Sequence, residues 1–352
     1  MIVHIRPFDA ASATATELAD YHQVAVAVAP DWANGSPTDY ETVIERLRQA
    51  SSVFGPVTRW AAHVEGTLVG VATASLPDVA STYVAVLRIE VHPAHREHGI
   101  GTALLAHAAA ECRALGRSVV EIWHLPVDGV GERWALRRGF VVVNTTVQQK
   151  LAVREADPAT WRIEAPAGYH AVTWAGAVPE ELIASYARAA NAIHDAPYGE
   201  SNFEFPQWTV ESMRAEQARR AESGVVQWVV AAVRDADNEV AGFTELLLRP
   251  WLPDTAIVNN TAVLEAHRGH GLGVFVKARM SAWLHAQRPA YAWISTSTAA
   301  SNAHMIRINE RIGFRAWLTT NVLNAEIDSL RIDPESEKSL TGRQPAQQNL
   351  EK

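Results

Sequence analysis

The segment VHPAHREHGIG (Val91–Gly101) recurs as VLEAHRGHGLG (Val263–Gly273), 172 residues further on, with seven of eleven positions identical. The same offset relates GTLVGVATASL (Gly66–Leu76) to NEVAGFTELLL (Asn238–Leu248) without insertion, and RRGF ending at Phe140 meets ERIGF ending at Phe314 at an offset of 174. Solenoid repeats run about 20–50 residues, so a period this long marks a duplicated domain. The length of 352 residues agrees, since one domain usually takes about 100–200. The expected division is 1–155 and 156–332, with a linker near Ala156–Ala165 where ADPAT and EAPA break the pattern. Residues 333–352, rich in Pro, Ser, Gln, Glu and Lys without apolar spacing, read as a disordered tail.

Each copy carries the same order of elements. Helical patterns come first: Thr38–Gln49, where Thr38 and Glu41 have capping-box spacing, and Glu180–Ala192 with Leu182, Ile183, Tyr186 and Ala189 on one face. Hairpin-linked strands follow, clearest in VVQWVVAAV and VAGFTELLL around the turn DADNE. The strands TYVAVLRIEV (Thr82–Val91) and TAIVNNTAV (Thr255–Val263) lead into the repeated loop and then into helices Gly101–Leu115 and Gly273–Ala286. A further strand, a helix, the Gly-Phe pair and closing strands complete each copy. Strands outnumber helices and most are hairpin-linked, which predicts an α+β fold with a mixed sheet.

Composition narrows the function. Apolar residues make up 48% and charged residues 20%, with twelve Trp, which suits two globular cores. A lone Cys112 excludes a disulfide framework and a Cys-rich zinc site, and its helical spacing from Ala108 and Leu115 reads as a core thiol. A net charge of −8 argues against nucleic acid held by phosphate neutralisation. No apolar run is long enough to cross a membrane, and the start MIVHIRPFDA lacks a signal-peptide pattern, so a cytoplasmic location is expected.

The repeated loop is Arg-x-x-Gly-x-Gly between a strand and a helix: Arg96, Gly99, Gly101 and Arg268, Gly271, Gly273. Such a junction leaves the first helix N–H groups unpaired at the positive end of the dipole, and glycines let the backbone curl around an anion. Neither Gly-x-Gly-x-x-Gly nor a Walker string is present. His95 with His98, and His267 with His270, have metal-like spacing, but no third ligand recurs with them, so no metal site is expected.

These loops resemble the signature of the GNAT superfamily of acyl-CoA-dependent N-acyltransferases, and the resemblance spans both copies. The helix Asn302, Met305, Ile308, Asn309, Ile312, Gly313, Phe314 is similar to a second family pattern. The resemblance implies two tandem GNAT-like domains, each a partly splayed mixed sheet flanked by helices. It further implies acetyl-CoA as co-substrate, its pyrophosphate held by the loops Arg96, Gly99, Ile100, Gly101 and Arg268, Gly269, His270, Gly271, Leu272, Gly273. The pantetheine arm is then expected along the main chain at Val91 and Val263, with Asn302 at a position that often contacts it. The implied reaction is direct attack of a small molecule's primary amine on the thioester.

An alkylamine is only about 0.04% neutral at pH 7, a penalty of about 4.6 kcal/mol, so a proton acceptor is needed. The family's usual Glu position holds Ala85 and Ile257, and its usual Tyr position holds Ala135 and Asn309. Glu245 is the nearest alternative base, and Asn309 a hydrogen-bond donor to the leaving thiolate. Chemistry is expected in the second copy, which keeps both patterns. Asn260 and the acids of IHDAPYGESNFEF (Asp195, Glu200, Glu204) are expected to form an acidic, aromatic-lined entry for a cationic amine. Mycothiol synthase shares the tandem architecture, so its cysteinyl amine is one candidate acceptor, with an antibiotic or polyamine amine left open. A non-catalytic acyl-CoA sensor is the alternative class. The expected state is a monomer with pseudo-dimeric domains, or a homodimer.

Overall fold

The computed structural model describes residues 2–29, 38–49, 51–52, 54–197 and 199–332; the expected disordered tail at 333–352 and Tyr198 of the acidic segment lie outside them. The first copy runs β1 (His4–Pro7), α1 (Ala15–Val28), α2 (Tyr40–Leu47), β2 (Ser51–Ser52), β3 (Gly55–Val64), β4 (Thr67–Ser75), β5 (Val84–Val91), α3 (Ile100–Ala114), β6 (Val119–Pro126), α4 (Val130–Arg137) and β7 (Val141–Ala152). The second runs β8 (Tyr169–Ala175), α5 (Ile183–Ala190), α6 (Val210–Glu222), β9 (Val226–Arg234), β10 (Val240–Leu248), β11 (Thr255–Val263), α7 (Leu272–Gln287), β12 (Trp293–Ala299), α8 (Ala303–Arg311) and β13 (Arg315–Glu326). The α+β reading holds.

Local chemistry explains the helix starts. Thr14 and Glu17 form a reciprocal capping box on α1. The expected cap of α2 at Thr38 is corrected by one residue: Asp39 accepts the Thr42 N–H, and a carboxylate there also meets the helix dipole. The linker is not slack, because Trp161 is buried and its Nε1 donates to the Ile312 carbonyl at 3.0 Å.

All the main strands form one continuous sheet, ordered β1-β3-β4-β5-β6-β13-β7-β12-β11-β10-β9-β8. Helices cover both faces. Leu18, Tyr21, Val24, Ile44 and Leu47 of α1 and α2 pack with Ala61 and Val71 on one side. Leu104, Leu105, Ala108 and the buried Cys112 of α3 pack with Ala72 and Leu87 on the other. The second copy repeats this with Ile183 and Tyr186 against Phe243, and Phe275 and Met280 against Leu246.

The closing strands change sides. β13 pairs with β6 from Glu326↔Val119 to Thr320↔Pro126, whereas β7 pairs with β12 from Ala152↔Trp293 to Thr146↔Ala299. The cores follow the strands: Leu323, Ala325 and Ile327 complete the first core, and Leu151 and Val153 the second. Division in chain order at 155 therefore cuts across sheet membership. A monomeric 1–155 fragment lacks three buried side chains of its own core, and at about 25 cal/mol per Å² of apolar surface that loss is a large part of marginal stability. Such a fragment is expected to melt without cooperativity in calorimetry; a sharp, monomeric transition would count against the exchange.

Candidate active site

The parallel pair at the centre of each copy is short. β5 and β6 pair only at Val84↔Val119, Ala85↔Val120 and Val86↔Glu121, and β11 and β12 only at Thr255↔Trp293, Ala256↔Ile294 and Ile257↔Ser295. Beyond these the strands part, while β5 stays paired to β4 as far as Val91 and β11 to β10 as far as Val263. Each V thus frees a strand edge whose N–H and C=O groups need a partner, and it opens toward the repeated loop.

Both loops are shaped in advance. Arg96 Nε donates to the Val91 carbonyl at 3.0 Å, and Arg268 Nε to the Val263 carbonyl at 3.2 Å, so each arginine ties its loop to the strand end. Gly99 and Gly271 have φ of 78° and 77°, left-handed values that glycine adopts without cost, and neither supplies a side-chain cap to the helix it starts. Helices α1, α2, α6 and α8 do have side-chain caps. Of the helices without one (α3, α4, α5 and α7), α3 and α7 start at the repeated glycine loops, where bare N–H groups suit an anion.

A cavity of about 710 Å³ opens at the first loop, lined by Glu90, Val91, Arg96, Gly99, Gly101 and Trp134 among others. A Cβ placed on Gly101 would sit 3.6 Å from the Trp134 indole, whereas at Gly273 the neighbour is Ile308, 3.2 Å away. On the α1 face of this V, Arg88 pairs with the buried Glu90 at 2.6 Å. Tyr21 lies buried nearby; desolvation, with the Glu90 charge second, holds its hydroxyl proton above the ordinary phenol range. His124 on β6 has φ of 63°, uncommon for a residue with a side chain, and its Nδ1 lies 3.5 Å from Gln148 Nε2. Burial, then Arg88, pushes its imidazole down to about 4, so it is neutral at physiological pH. None of Arg88, Glu90 or His124 was among the expected site residues. The signal for the first two was present: Arg-x-Glu interrupts the apolar run VAVLRIEV, and period-two spacing puts both on one face.

The second V is built differently. A β-bulge sets Asn259 and Asn260 opposite Glu245, and both side-chain amides donate to Glu245 Oε2, at 2.6 and 3.2 Å. Tyr186 donates to Oε1, and burial beside that carboxylate pushes its hydroxyl well above the ordinary range. Three donors therefore occupy the expected base. Asn309, the expected thiolate donor, is fully buried with its amide on Gln149 Oε1 at 2.8 Å. Asn302 caps α8, accepting the Met305 N–H at 3.1 Å.

The acids of the expected entry are held by different parts of the protein. Asp195 pairs with Arg268, while the main chain at Glu200 donates to the Val143 carbonyl and that at Glu204 to Ser81 Oγ. First-copy groups thus hold the main chain at Glu200 and Glu204, and both side chains are exposed. His267 is buried with Nδ1 2.9 Å from Tyr169 Oη, and among the described residues no three or more His, Cys, Asp or Glu side chains cluster as metal ligands would. No helix among the described residues is long and apolar enough to cross a membrane.

The profile of the Acetyltransferase (GNAT) family matches residues 21–147 and 190–314. A tandem GNAT protein from the clavulanic acid biosynthesis pathway, solved without AcCoA, superposes with a TM-score of 0.76 at 24% identity, covering 93% of this chain and 99% of that one. A GCN5-related N-acetyltransferase from Sphaerobacter thermophilus gives 0.67 at 15% identity, covering 92% and 96%. No curated protein matches in sequence.

Proposed function

The chain belongs to the GNAT acetyltransferase family, and from that membership we propose an acetyl-CoA-dependent N-acetyltransferase that acylates a primary amine of a small molecule. The observation that carries this reading is the cavity at the first loop, where bare helix N–H groups, a freed strand edge and a buried carboxylate meet. That set fits a diphosphate joined to an amide-bearing arm. When bound, acetyl-CoA supplies an activated acetyl group as its thioester. The N–H groups from Gly99 to Gly101 hold the diphosphate, and the free edge of β5 pairs with the arm. Glu90 accepts the proton that the ammonium must lose, and Arg88 keeps it oriented. Neutral His124 stands across the V as a hydrogen-bond partner for polar atoms of the reacting groups. In chain order we propose domains 1–155 and 156–332 that exchange closing strands.

A second reading puts the chemistry in the second copy, and the Glu245 cluster at the bulge favours it. Thiol release from acetyl-CoA across a panel of primary amines tests the reaction, with Glu90→Gln and Glu245→Gln assigning the copy. Tight CoA binding with no release for any amine would make the protein a sensor.

A further inference from the structure

Residues 199–205 belong to the second copy in sequence but dock on the first. Glu121, fully buried, accepts from the Asn202 N–H at 2.6 Å, from Ser201 Oγ at 3.0 and 3.1 Å, and from Trp123 Nε1 at 2.8 Å. Tyr83 Oη donates to the Asn202 carbonyl at 3.2 Å. Burying that carboxylate raises its proton affinity, and the donors from Asn202, Trp123 and Ser201 oppose the rise. The attachment is thus built around a group that needs these partners.

Its position matters more than its strength. Glu121 is in the last paired position before β5 and β6 part. Phe203 stands there with Val84 and Val86, against Phe54 at 5.1 Å and Trp123 at 5.7 Å between ring centroids, and Phe205 follows at 5.1 Å. Trp123 in turn meets His124 at 6.0 Å, and Arg88, on the same face of β5 as Val84 and Val86, holds Glu90. This aromatic cluster packs on Val84 and Val86 at the closed end of the V, on the face of β5 that period-two alternation also gives to Arg88 and Glu90.

We infer that residues 199–205 of the second copy form the acceptor-side wall of the first copy's site, selecting primary amines carried on an apolar, ring-sized body. This rests on the reading of the first copy as the donor site. A nonpolar group lies against Phe203, Trp123 and Phe205, and its amine is directed toward Glu90. The second copy then acts as the specificity element of the first.

The full chain and Phe203→Ala are compared with 2-phenylethylamine and with ethylamine as acceptors, beside CoA titration by calorimetry. The expected result is a tenfold or greater fall in kcat/KM for 2-phenylethylamine, carried by KM, a change under threefold for ethylamine, and an unaltered Kd for CoA. Phe203→Leu, which keeps an apolar body, is expected to recover most of the loss. If Phe203→Ala fails to fold, the half-buried Phe205→Ala takes its place with the same expected split. Equal losses for both amines, or none, overturn the inference while leaving acetyl transfer intact. Absence of transfer by the unaltered chain with every amine overturns the acetyltransferase reading instead.

Discussion

Glu90→Gln is expected to lower kcat by 10²–10³-fold with the amine acceptor while CoA affinity stays within about twofold. The substitution keeps the shape of a side chain that is 4% exposed, and removes its capacity to take a proton together with the charge that pairs with Arg88. A positioned general base is worth about 10²–10⁴-fold, and the ammonium must be deprotonated at a cost of about 4.6 kcal/mol at pH 7. A retained Kd separates loss of base from collapse of the cavity that Glu90 lines. Raising the pH supplies more free amine, so the deficit is expected to narrow between pH 7 and 9. Steady-state rates against pH for both proteins check this. A Glu90→Gln enzyme with unaltered kcat, beside a Glu245→Gln enzyme that has lost it, would move the chemistry to the second copy.

Lys277→Leu is expected to stabilise the protein and to flatten its dependence on pH. Lys277 is 3% exposed, its Nζ lies 3.4 Å from Thr261 Oγ1, and burial pushes its ammonium from 10.5 down to about 7. The folded state binds fewer protons than the unfolded between pH 7 and 10.5, so stability rises with pH across that window, and the whole penalty applies below 7. At 1.36 kcal/mol per pH unit the penalty is on the order of 4–5 kcal/mol. The duplicate supplies the replacement: at the 172-residue offset the first copy has Leu105, Ile89 and Ala72 where the second has Lys277, Thr261 and Thr244. Thr261 keeps a partner in Thr244 at 2.7 Å when the lysine is gone. Calorimetry at pH 6 is expected to show a melting temperature about 5–10 °C higher, with the gain shrinking toward pH 10. A variant that melts lower at pH 6 would mean the ammonium has a compensating partner.

The duplication, the anion loops and the order of elements were legible because each depends on residues close in sequence. The strand exchange was not: β7 and β13 carry patterns that suit either sheet, and what decides is which core receives Leu151 and Val153, or Leu323 and Ala325. The bulge at Asn259–Asn260 was hidden by cancellation. The copies match at an offset of 172 at Leu76 and Leu248 and again at Val91 and Val263, but the first paired residues Val84 and Thr255 differ by 171. A loop one residue shorter masks a strand one residue longer. The acidic segment reads as a unit because its charges are adjacent in sequence, whereas Glu121 of the other copy anchors it at Asn202.

Titration of CoA into the Gly101→Leu and Gly271→Ala proteins tests the central claim most directly. A side chain at Gly101 meets Trp134 and the cavity, while at Gly271 a Cβ has no neighbour within 4 Å but its φ of 77° strains the second loop, so the pair perturbs one loop each. The prediction is a loss of affinity of more than a hundredfold for Gly101→Leu and a change under threefold for Gly271→Ala. Undiminished binding in Gly101→Leu, with binding lost in Gly271→Ala, would contradict it.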